Sequence, residues 1–306
     1  MNNKDIVRVK GKEKTVDLYN LDNKQIIIKG TILKIAQLKN EYFDKIDNPQ
    51  DILRAMAADK IKADLFTFWQ RLPDIEPKYK YHHEGESLAV LKIENYDNWF
   101  KHTIDSKTRN IIRKSGKMGV FIDTVDFNDD FVKGIVNIYK ETPIRQGKPF
   151  WHYEKDFSQI KEETSDALEK SVFIGAYYNG EMIGFLKMLM ADQYAMIVLI
   201  LSMIAHRDKS TQNSLIAKAV EVCCGKNIKY IIYAKWDVNK TLADFKKRNG
   251  FNSIVLPRYY IPLTIKGYMA LKLNLHHGII PFVPAKIKHL LNEVRVKYVI
   301  RKYKPY

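Results

Sequence analysis

The stretch from Thr142 to Tyr153 concentrates side chains that can bind a ligand or react with it. Its chemically active members are Arg145, Gln146, Lys148, Trp151, His152 and Tyr153. Because such a mixture costs more free energy to bury than to expose, it favours a ligand-binding surface loop. Its cations could hold a phosphate or carboxylate, its aromatic rings could stack on a sugar, and His152 could act as a base near neutral pH. A surface loop with one anchoring tryptophan is the alternative.

A basic helix face is a second candidate for ligand binding. Its members, spaced three or four residues apart in a helix predicted over residues 96–118, are Arg109, Arg113, Lys114 and Lys117. Residues at this spacing lie on one side of a helix. Arg109 and Arg113 are predicted to clamp an anion such as tRNA, a lipid-linked pyrophosphate or a polymer. The alternative is an ordinary solvated face.

No metal site and no covalent nucleophile are predicted. The histidine pairs at 82–83 and 276–277 lack further ligands at metal-binding spacing. No serine or cysteine stands in a supported nucleophile pattern. Cys223 and Cys224 are adjacent, which disfavours a disulfide between them, and this cysteine usage fits a reducing compartment. The expected location is therefore the cytoplasm.

The elements that would position a site are clearest between residues 171 and 263. Asn179-Gly180 is typical of a two-residue hairpin turn. Strands are predicted at 171–178, 181–191, 193–204, 229–234 and 251–263, and helices at 214–226 and 239–248. This order joins an antiparallel meander to a βαβ crossover, an arrangement that few α+β folds use.

That order, closed by Leu242 to Phe251 (LADFKKRNGF), resembles the GNAT superfamily of acyltransferases. Phe245-Lys246 and the segment Thr108 to Gly119 (TRNIIRKSGKMG) are similar to the Fem-type aminoacyltransferase branch. The loop 143–153 also resembles a loop of uncharacterised relatives from glycan gene clusters. The resemblance covers residues 63–265. It implies an α+β fold with a mixed, mostly antiparallel twisted sheet flanked by helices.

The resemblance places the acyl-donor site at the start of the helix predicted over 214–226. Acetyl-CoA-binding members carry a glycine-rich loop there, whose backbone N–H groups approach the pyrophosphate. The corresponding residues 207–214 include no glycine, which argues against ordinary acetyl-CoA use. Acyl-CoA and aminoacyl-tRNA are the alternative co-substrates, and the net charge of +16 suits tRNA. Donor binding is assigned to Arg207, Lys209, Ser210, Thr211, Asn213, Ser214 and Asn239.

The catalytic assignments also follow from the resemblance. Many GNAT enzymes have a tyrosine four residues before the glycine that ends the last helix, and Lys246 stands there. Its ammonium could stabilise an oxyanion or protonate the leaving group, unless it is an ordinary solvated lysine. Asp237, where the sheet of this fold splays, could accept a proton from the attacking group, or else form a turn or helix N-cap. Tyr233 and Trp236 are assigned to the acceptor pocket, with the core as the alternative.

Three regions are predicted along the chain. Residues 1–95 form an α/β subdomain, alternatively a degenerate GNAT-like half, and residues 96–265 form the GNAT-like domain. Residues 266–306 contain nine basic residues and one acid, Glu293, so they carry a net charge of +8. One helical face of this region consists of Ile287, Leu290, Leu291, Val294 and Tyr298. Such a basic amphipathic helix could lie on anionic lipid at the inner face of a membrane, or pack on the protein itself.

The sequence thus predicts an acyltransferase that moves an acyl or aminoacyl group to an amine or hydroxyl. The acceptor is expected to be a glycan or lipid-linked precursor of the cell envelope or of a surface polysaccharide. Attack on the thioester or aminoacyl-tRNA would be direct, in a ternary complex. The alternative is a non-catalytic binding protein of the same fold, with an anionic partner such as nucleic acid, anionic lipid or a glycan.

Overall fold

The computed structural model describes residues 3–9, 12–21, 24–236, 239–278 and 283–303. The strands are β1 (Asn3–Val9), β2 (Lys12–Leu21), β3 (Lys24–Lys29), β4 (Ile35–Leu38), β5 (Leu65–Trp69), β6 (His82–Lys92), β7 (Phe121–Val125), β8 (Ile144–Arg145), β9 (Lys148–Pro149), β10 (Ser171–Tyr178), β11 (Glu181–Met190), β12 (Tyr194–Ser202), β13 (Tyr230–Lys235) and β14 (Asn252–Pro262). The helices are α1 (Pro49–Ala58), α2 (Tyr96–Asn98), α3 (Ser106–Lys117), α4 (Asp129–Lys140), α5 (Phe157–Thr164), α6 (Thr211–Gly225), α7 (Lys240–Arg248), α8 (Ile265–Lys272) and α9 (Ala285–Lys302).

The chain forms two compact units, each made of separate segments. The first unit comprises Met1–Glu86, Ile144–Trp151 and Leu256–Tyr306, and the second comprises Ser87–Pro143 and His152–Val255. The basic C-terminal region therefore belongs to the same unit as the N-terminal region. Strands β6 and β14 each contribute residues to both units.

In the first unit the strand order is β1-β2-β3-β4-β5-β14, antiparallel except between β4 and β5. Ile26, Ile27 and Ile28 of β3 are all buried, because β-branched side chains suit a strand that is covered on both faces. The neighbouring core contains the stacked rings of Phe68 and Tyr259, whose centroids are 5.0 Å apart.

In the second unit the order is β6-β13-β12-β11-β10-β7, antiparallel except between β12 and β13. Successive residues of a strand face opposite sides. The ring of Phe185 on β11 meets that of Phe131 on α4, whereas a Cβ on Gly184 would stand 2.8 Å from Thr211 at the start of α6. Helices α4 and α6 therefore cover opposite faces of this sheet.

The predicted fold class is confirmed: a mixed, mostly antiparallel sheet is flanked by helices. The elements predicted between 171 and 263 lie within three residues of their observed bounds. Asn179 and Gly180 have φ values of 51° and 81°, as a left-handed hairpin turn requires. These segments were predictable because hydrophobic pattern, turn residues and helix caps agree in them.

The prediction of a single helix over residues 96–118 is wrong. The chain instead forms α2, a π-helical turn at Trp99–Thr103 and then α3. Ile104 is extended, and the Asp105 side chain accepts a hydrogen bond from the Thr108 N–H at 2.6 Å, which starts a new helix. The weak pattern of residues 1–25 did not predict β1 and β2.

The predicted C-terminal helix is present as α9. None of its described side chains is buried, and Ile287, Leu290, Leu291, Val294 and Tyr298 are 47–65% exposed. Its Asn292 side chain donates to the Gly147 carbonyl at 3.1 Å. The helix therefore does not bury its apolar face in the first unit. In the described segments, no helix combines the length and the apolar character that crossing a bilayer demands.

Candidate active site

Strands β12 and β13 separate within the second unit. They pair at three positions, of which the last joins Met196 to Ile232. Beyond it, β12 continues along β11 to Ser202 and β13 continues to Lys235. The five residues 198–202 are only partly buried. The split leaves a strand edge at which backbone groups and apolar side chains can meet a ligand.

Lys246 lies on α7 beside this split. Its side chain is fully buried, so the alternative of a solvated lysine does not hold. Its Nζ donates to the Lys235 carbonyl at 2.5 Å and lies 4.8 Å from the centre of the Tyr233 ring. Both neighbours belong to the part of β13 that has left β12. Because burying an amino group is costly, a lysine held at such an edge is a candidate for a functional group.

The end of β13 also carries the predicted acceptor-pocket residues. Burial raises the pKa of Tyr233 to about 12, so its phenol remains protonated at neutral pH and can donate a hydrogen bond. Ala234 has a left-handed φ of 50° at an irregularity in the β6–β13 pairing, which redirects the chain. The backbone N–H of Trp236 then donates a hydrogen bond to the backbone carbonyl of Ser87 at 3.0 Å. Asp237 lies outside the described residues, and its role remains a prediction.

The start of α6 carries several residues that are predicted to bind the donor. Ser210 has φ 54° and ψ 34°, so the left-handed bend that glycine adopts most easily is present without a glycine. The hydroxyls of Thr211 and Ser214 are buried and have no hydrogen-bond partner within the described part of the chain. Lys209 is also buried, with Nζ 4.3 Å from the centre of the Tyr178 ring, whereas Arg207 is exposed.

The predicted asparagines hold the two helices of the site. The Asn213 side chain donates to Asn249 Oδ1 at 3.2 Å, which joins the start of α6 to the end of α7. The Asn239 side chain accepts from the Leu242 N–H at 2.8 Å and caps α7. Asn239, predicted to bind the donor, therefore has a helix-capping role that positions Lys246.

Glu141 was missed by sequence reasoning. Its carboxylate accepts hydrogen bonds from the backbone N–H groups of Ile204 and Ala205 at 2.8 and 2.7 Å, just beyond the end of β12. These two N–H groups lie in the chain between β12 and helix α6, at whose start the donor is predicted to bind. An acid 63 residues earlier in the chain carries no sequence signal of such a contact.

The predicted ligand-binding loop is divided between the two units. In the first unit, β8 and β9 form a short hairpin whose turn residues are Gln146 and Gly147, both with positive φ. The guanidinium of Arg145 lies 5.0 Å from the centre of the Phe150 ring. Lys148 and Trp151 are exposed. This part of the loop thus presents aromatic and cationic side chains.

His152 and Tyr153 belong to the second unit, and His152 is buried there. Its ring centroid lies 4.3 Å from that of Tyr139, and its Nδ1 lies 3.3 Å from Lys155 Nζ. Burial, together with the nearby Lys155, lowers the pKa of His152 to about 3. Because a general base works best with a pKa near the working pH, this environment disfavours the predicted role as a base.

The basic face of α3 is only partly available to an anion. Arg109 Nη1 donates to the Ile104 and Lys101 carbonyls at 2.6 and 2.9 Å, so it caps the preceding π-helical turn. Arg113 is exposed, with its guanidinium 5.2 Å from the centre of the Phe100 ring. Arg109 therefore has a structural role, and Arg113 is the better candidate for contact with an anion.

A concavity of about 720 Å³ lies elsewhere in the second unit, between α4 and the β10–β11 hairpin. It is lined in part by Asp126, Asp130 and Glu181 and contains none of the predicted site residues. Its acidic lining is unsuited to a phosphate-bearing donor. The split between β12 and β13 remains the better candidate, because the buried lysine and the unpaired hydroxyls lie on the helices beside it.

No protein-family model and no curated protein sequence matches the chain. Among solved structures it is similar to FemX, with a TM-score of 0.56 at 10% identity over 84% of this chain and 87% of that one. It is similar to the C-terminal domain of a putative lysylphosphatidylglycerol synthetase from Agrobacterium fabrum, with a TM-score of 0.55 at 13% identity and the same coverage. L-PGS from Bacillus licheniformis matches with a TM-score of 0.55 at 13% identity, over 88% and 90%.

These similarities define the fold of the chain as GNAT-like. They do not single out the Fem-type branch, because the synthetase domain from Agrobacterium fabrum and L-PGS match as well as FemX does. At identities of 10–13%, a shared fold does not show that residues share catalytic or binding roles.

Proposed function

We propose that this protein is an acyltransferase of the GNAT-like fold that moves an acyl or aminoacyl group to an amine or hydroxyl of a cell-envelope component. The observation that carries the proposal is the buried Lys246 at the point where β13 leaves β12. The start of α6 supports it, because the buried hydroxyls of Thr211 and Ser214 have no hydrogen-bond partner among the described residues. The backbone N–H groups of a helix N-terminus suit the phosphate of a donor.

The proposed reaction is direct attack of the acceptor on the donor carbonyl. Lys246 Nζ would exchange the Lys235 carbonyl for the developing oxyanion or for the leaving oxygen or sulfur, and would stabilise its charge. Asp237 would accept the proton of the attacking group. A covalent enzyme intermediate on Cys223 is disfavoured, because burial raises the pKa of its thiol to about 12.

Of the two donors, we favour aminoacyl-tRNA. The loop before α6 keeps its left-handed bend at Ser210, but a side chain stands where glycine would let a pyrophosphate approach the backbone. The net charge of +16 attracts a polyanion more strongly than a small nucleotide. Acyl-CoA remains the alternative donor.

We favour an acceptor at the membrane surface. One of the similar structures is a domain of a putative lysylphosphatidylglycerol synthetase, and the product in that name is an aminoacylated lipid. The exposed apolar face of α9, flanked by basic residues, would hold the protein against anionic lipid.

The test combines donor binding with transfer. Thermal unfolding is followed with aminoacyl-tRNA, uncharged tRNA and acyl-CoA, and transfer is followed with radiolabelled donors and an envelope extract. We expect aminoacyl-tRNA, the favoured donor, to raise the Tm of the protein. Lys246→Met should lower transfer by about 100-fold or more, as loss of an oxyanion donor does. Exposed Lys247→Met on the same helix is the matched control and should retain transfer.

Each outcome of this experiment decides between the two functions. If neither donor raises Tm and no label is transferred, the chain is a binding protein of this fold. If Lys246→Met folds and transfers at the rate of Lys247→Met, the proposed site is wrong. Asp237→Ala, tested in parallel, separates loss of a proton acceptor from loss of the lysine.

A further inference from the structure

A cluster of three histidines around one carboxylate lies in the first unit. His82 and Glu84 are two residues apart on β6, so both side chains project from the same face of the strand. His276 and His277 come from a 3₁₀ turn, Leu275–His277, that follows α8. One ligand atom from each of His82, Glu84 and His276 can be chosen such that all lie within 4.8 Å of one another.

The carboxylate of Glu84 is the centre of this cluster. Its Oε1 lies 2.7 Å from His276 Nε2 and 3.6 Å from His82 Nε2, and its Oε2 lies 2.8 Å from His277 Nε2. In a tetrahedral site with bonds of about 2.0–2.1 Å, neighbouring ligand atoms are about 3.3 Å apart. The observed separations lie on either side of that value, so small side-chain shifts would suffice to enclose an ion.

The turn that presents the two histidines is firmly placed. The His276 side chain is fully buried, and its ring centroid lies 4.6 Å from that of Tyr260. Asn274 and Gly278, with φ values of 54° and 73°, bend the chain at either end of the turn. His276 Nδ1 is buried without a hydrogen-bond partner among the described residues. The ring is therefore held by packing, with Nε2 directed at Glu84.

We propose that His82, Glu84 and His276 form a binding site for a divalent transition-metal ion, with His277 as a fourth ligand. Imidazole nitrogen with one carboxylate is a ligand set of Zn²⁺, and Co²⁺ and Ni²⁺ accept it too. Mg²⁺ and Ca²⁺ require mainly oxygen ligands and are excluded.

The ion would join the segment after α8 to strand β6 and so stabilise the first unit. His82 and His277 are about half exposed, which leaves an open path for the ion from solvent. None of the residues of this site is used in the proposed acyl transfer: they lie in the first unit, and the strand split lies in the second.

The test is Zn²⁺ titration of protein freed of metal by a chelator, followed by calorimetry and by metal analysis after gel filtration. We expect one ion per chain and a rise in Tm. His82→Ala and Glu84→Gln should weaken binding by more than about tenfold, or 1.4 kcal/mol. His82 is exposed, so its loss does not threaten folding. Bound Co²⁺ should show the intense visible absorption of a four-coordinate ion.

His83→Ala is the matched control, because His83 is exposed on the same strand and faces the opposite side, with its ring 5.7 Å from that of Tyr259. It should bind Zn²⁺ as the unaltered protein does. The proposal is overturned if the unaltered protein takes up no Zn²⁺. It is also overturned if a His82→Ala/Glu84→Gln double variant binds as tightly as His83→Ala, since adventitious surface sites would then account for the binding.

Discussion

At the scale of single residues, burial has changed the chemistry of several ionisable side chains. Lys187 in the middle of β11 is buried, and its Nζ donates to the Thr164 and Asp166 carbonyls at 2.8 and 2.6 Å. This burial lowers the pKa of Lys187 to about 8. Nothing in the strand sequence distinguishes this lysine from a solvated one. Its hydrogen bonds make it a structural anchor for the loop after α5.

His152 yields a prediction about pH. Its pKa of about 3 in the folded protein lies below the ordinary 6.5, so between these values the unfolded chain holds a proton that the native protein does not. The free energy of unfolding should therefore fall as the pH drops from 6.5 toward 3, by at most about 1.4 kcal/mol per pH unit from this residue. Denaturant unfolding at pH 6.5 and 5 measures the slope.

His152→Gln should reduce that slope, because glutamine does not titrate. His102→Gln is the control, since His102 is exposed on the second unit and its replacement should leave the slope unchanged. Equal slopes for His152→Gln and the unaltered protein would show that His152 is accessible to protons in the native state. The general-base role would then regain support.

At the scale of elements, the approach of α6 to β11 positions the residues of the proposed donor site. Gly184 makes this approach possible, because a Cβ there would stand 2.8 Å from Thr211 Cγ2 and 3.2 Å from the Leu201 carbonyl oxygen. Thr211 begins α6, and its buried hydroxyl has no hydrogen-bond partner in the described part of the chain. The glycine therefore positions the start of the helix against the strands of the split.

Gly184→Ala should destabilise the protein by about 1–3 kcal/mol through overpacking and should weaken donor binding. Gly225→Ala is the matched control at the other end of α6, where a Cβ meets nothing within 4 Å. Alanine is the better helix former, so this control should be neutral or slightly stabilising. Denaturant unfolding of both variants measures the difference. A Gly184→Ala variant as stable as the control would mean that α6 can shift freely.

At the scale of the whole molecule, charge is distributed unevenly along the chain. Residues 266–306 hold nine basic residues and one acid, half of the net charge of +16. Within this region, α9 exposes an apolar face between basic flanks. Apolar insertion and attraction to anionic headgroups act together in such a helix.

We expect the protein to bind vesicles that contain phosphatidylglycerol more tightly than vesicles of phosphatidylcholine alone, with binding that weakens as salt is added. Val294→Glu on the apolar face should reduce binding at least about tenfold, because it removes a buried apolar contact and adds repulsion. Ile300→Glu is the control, since Ile300 lies on the other side of the same helix and is 44% exposed. Vesicle flotation measures the membrane binding of the two variants. Equal binding by the two variants, or none by the unaltered protein, would contradict the proposed membrane contact.

The amino-acid sequence alone was enough to predict the elements between residues 171 and 263, and with them the GNAT-like order of strands and helices. Local signals sufficed there, because the Asn179-Gly180 turn, the Asn239 cap and the apolar strands act over a few residues. Local signals failed for residues 96–118, where the periodic pattern predicts one helix. In the structure, hydrogen bonds of Asp105 and Arg109 end the first helical segment and start the next.

The chemical environment of the side chains, in contrast, depends on contacts between distant parts of the chain. Burial of Lys246 and His152 depends on the elements packed around them. It makes Lys246 a stronger candidate for a catalytic group and His152 a weaker candidate for a general base. The cluster of Glu84 and His276 joins residues 192 positions apart in the chain. Long-range contacts of this kind cannot be read from the periodicity of a single sequence. Periodicity reports only on residues a few positions apart, and the number of residues between Glu84 and His276 follows no fixed spacing.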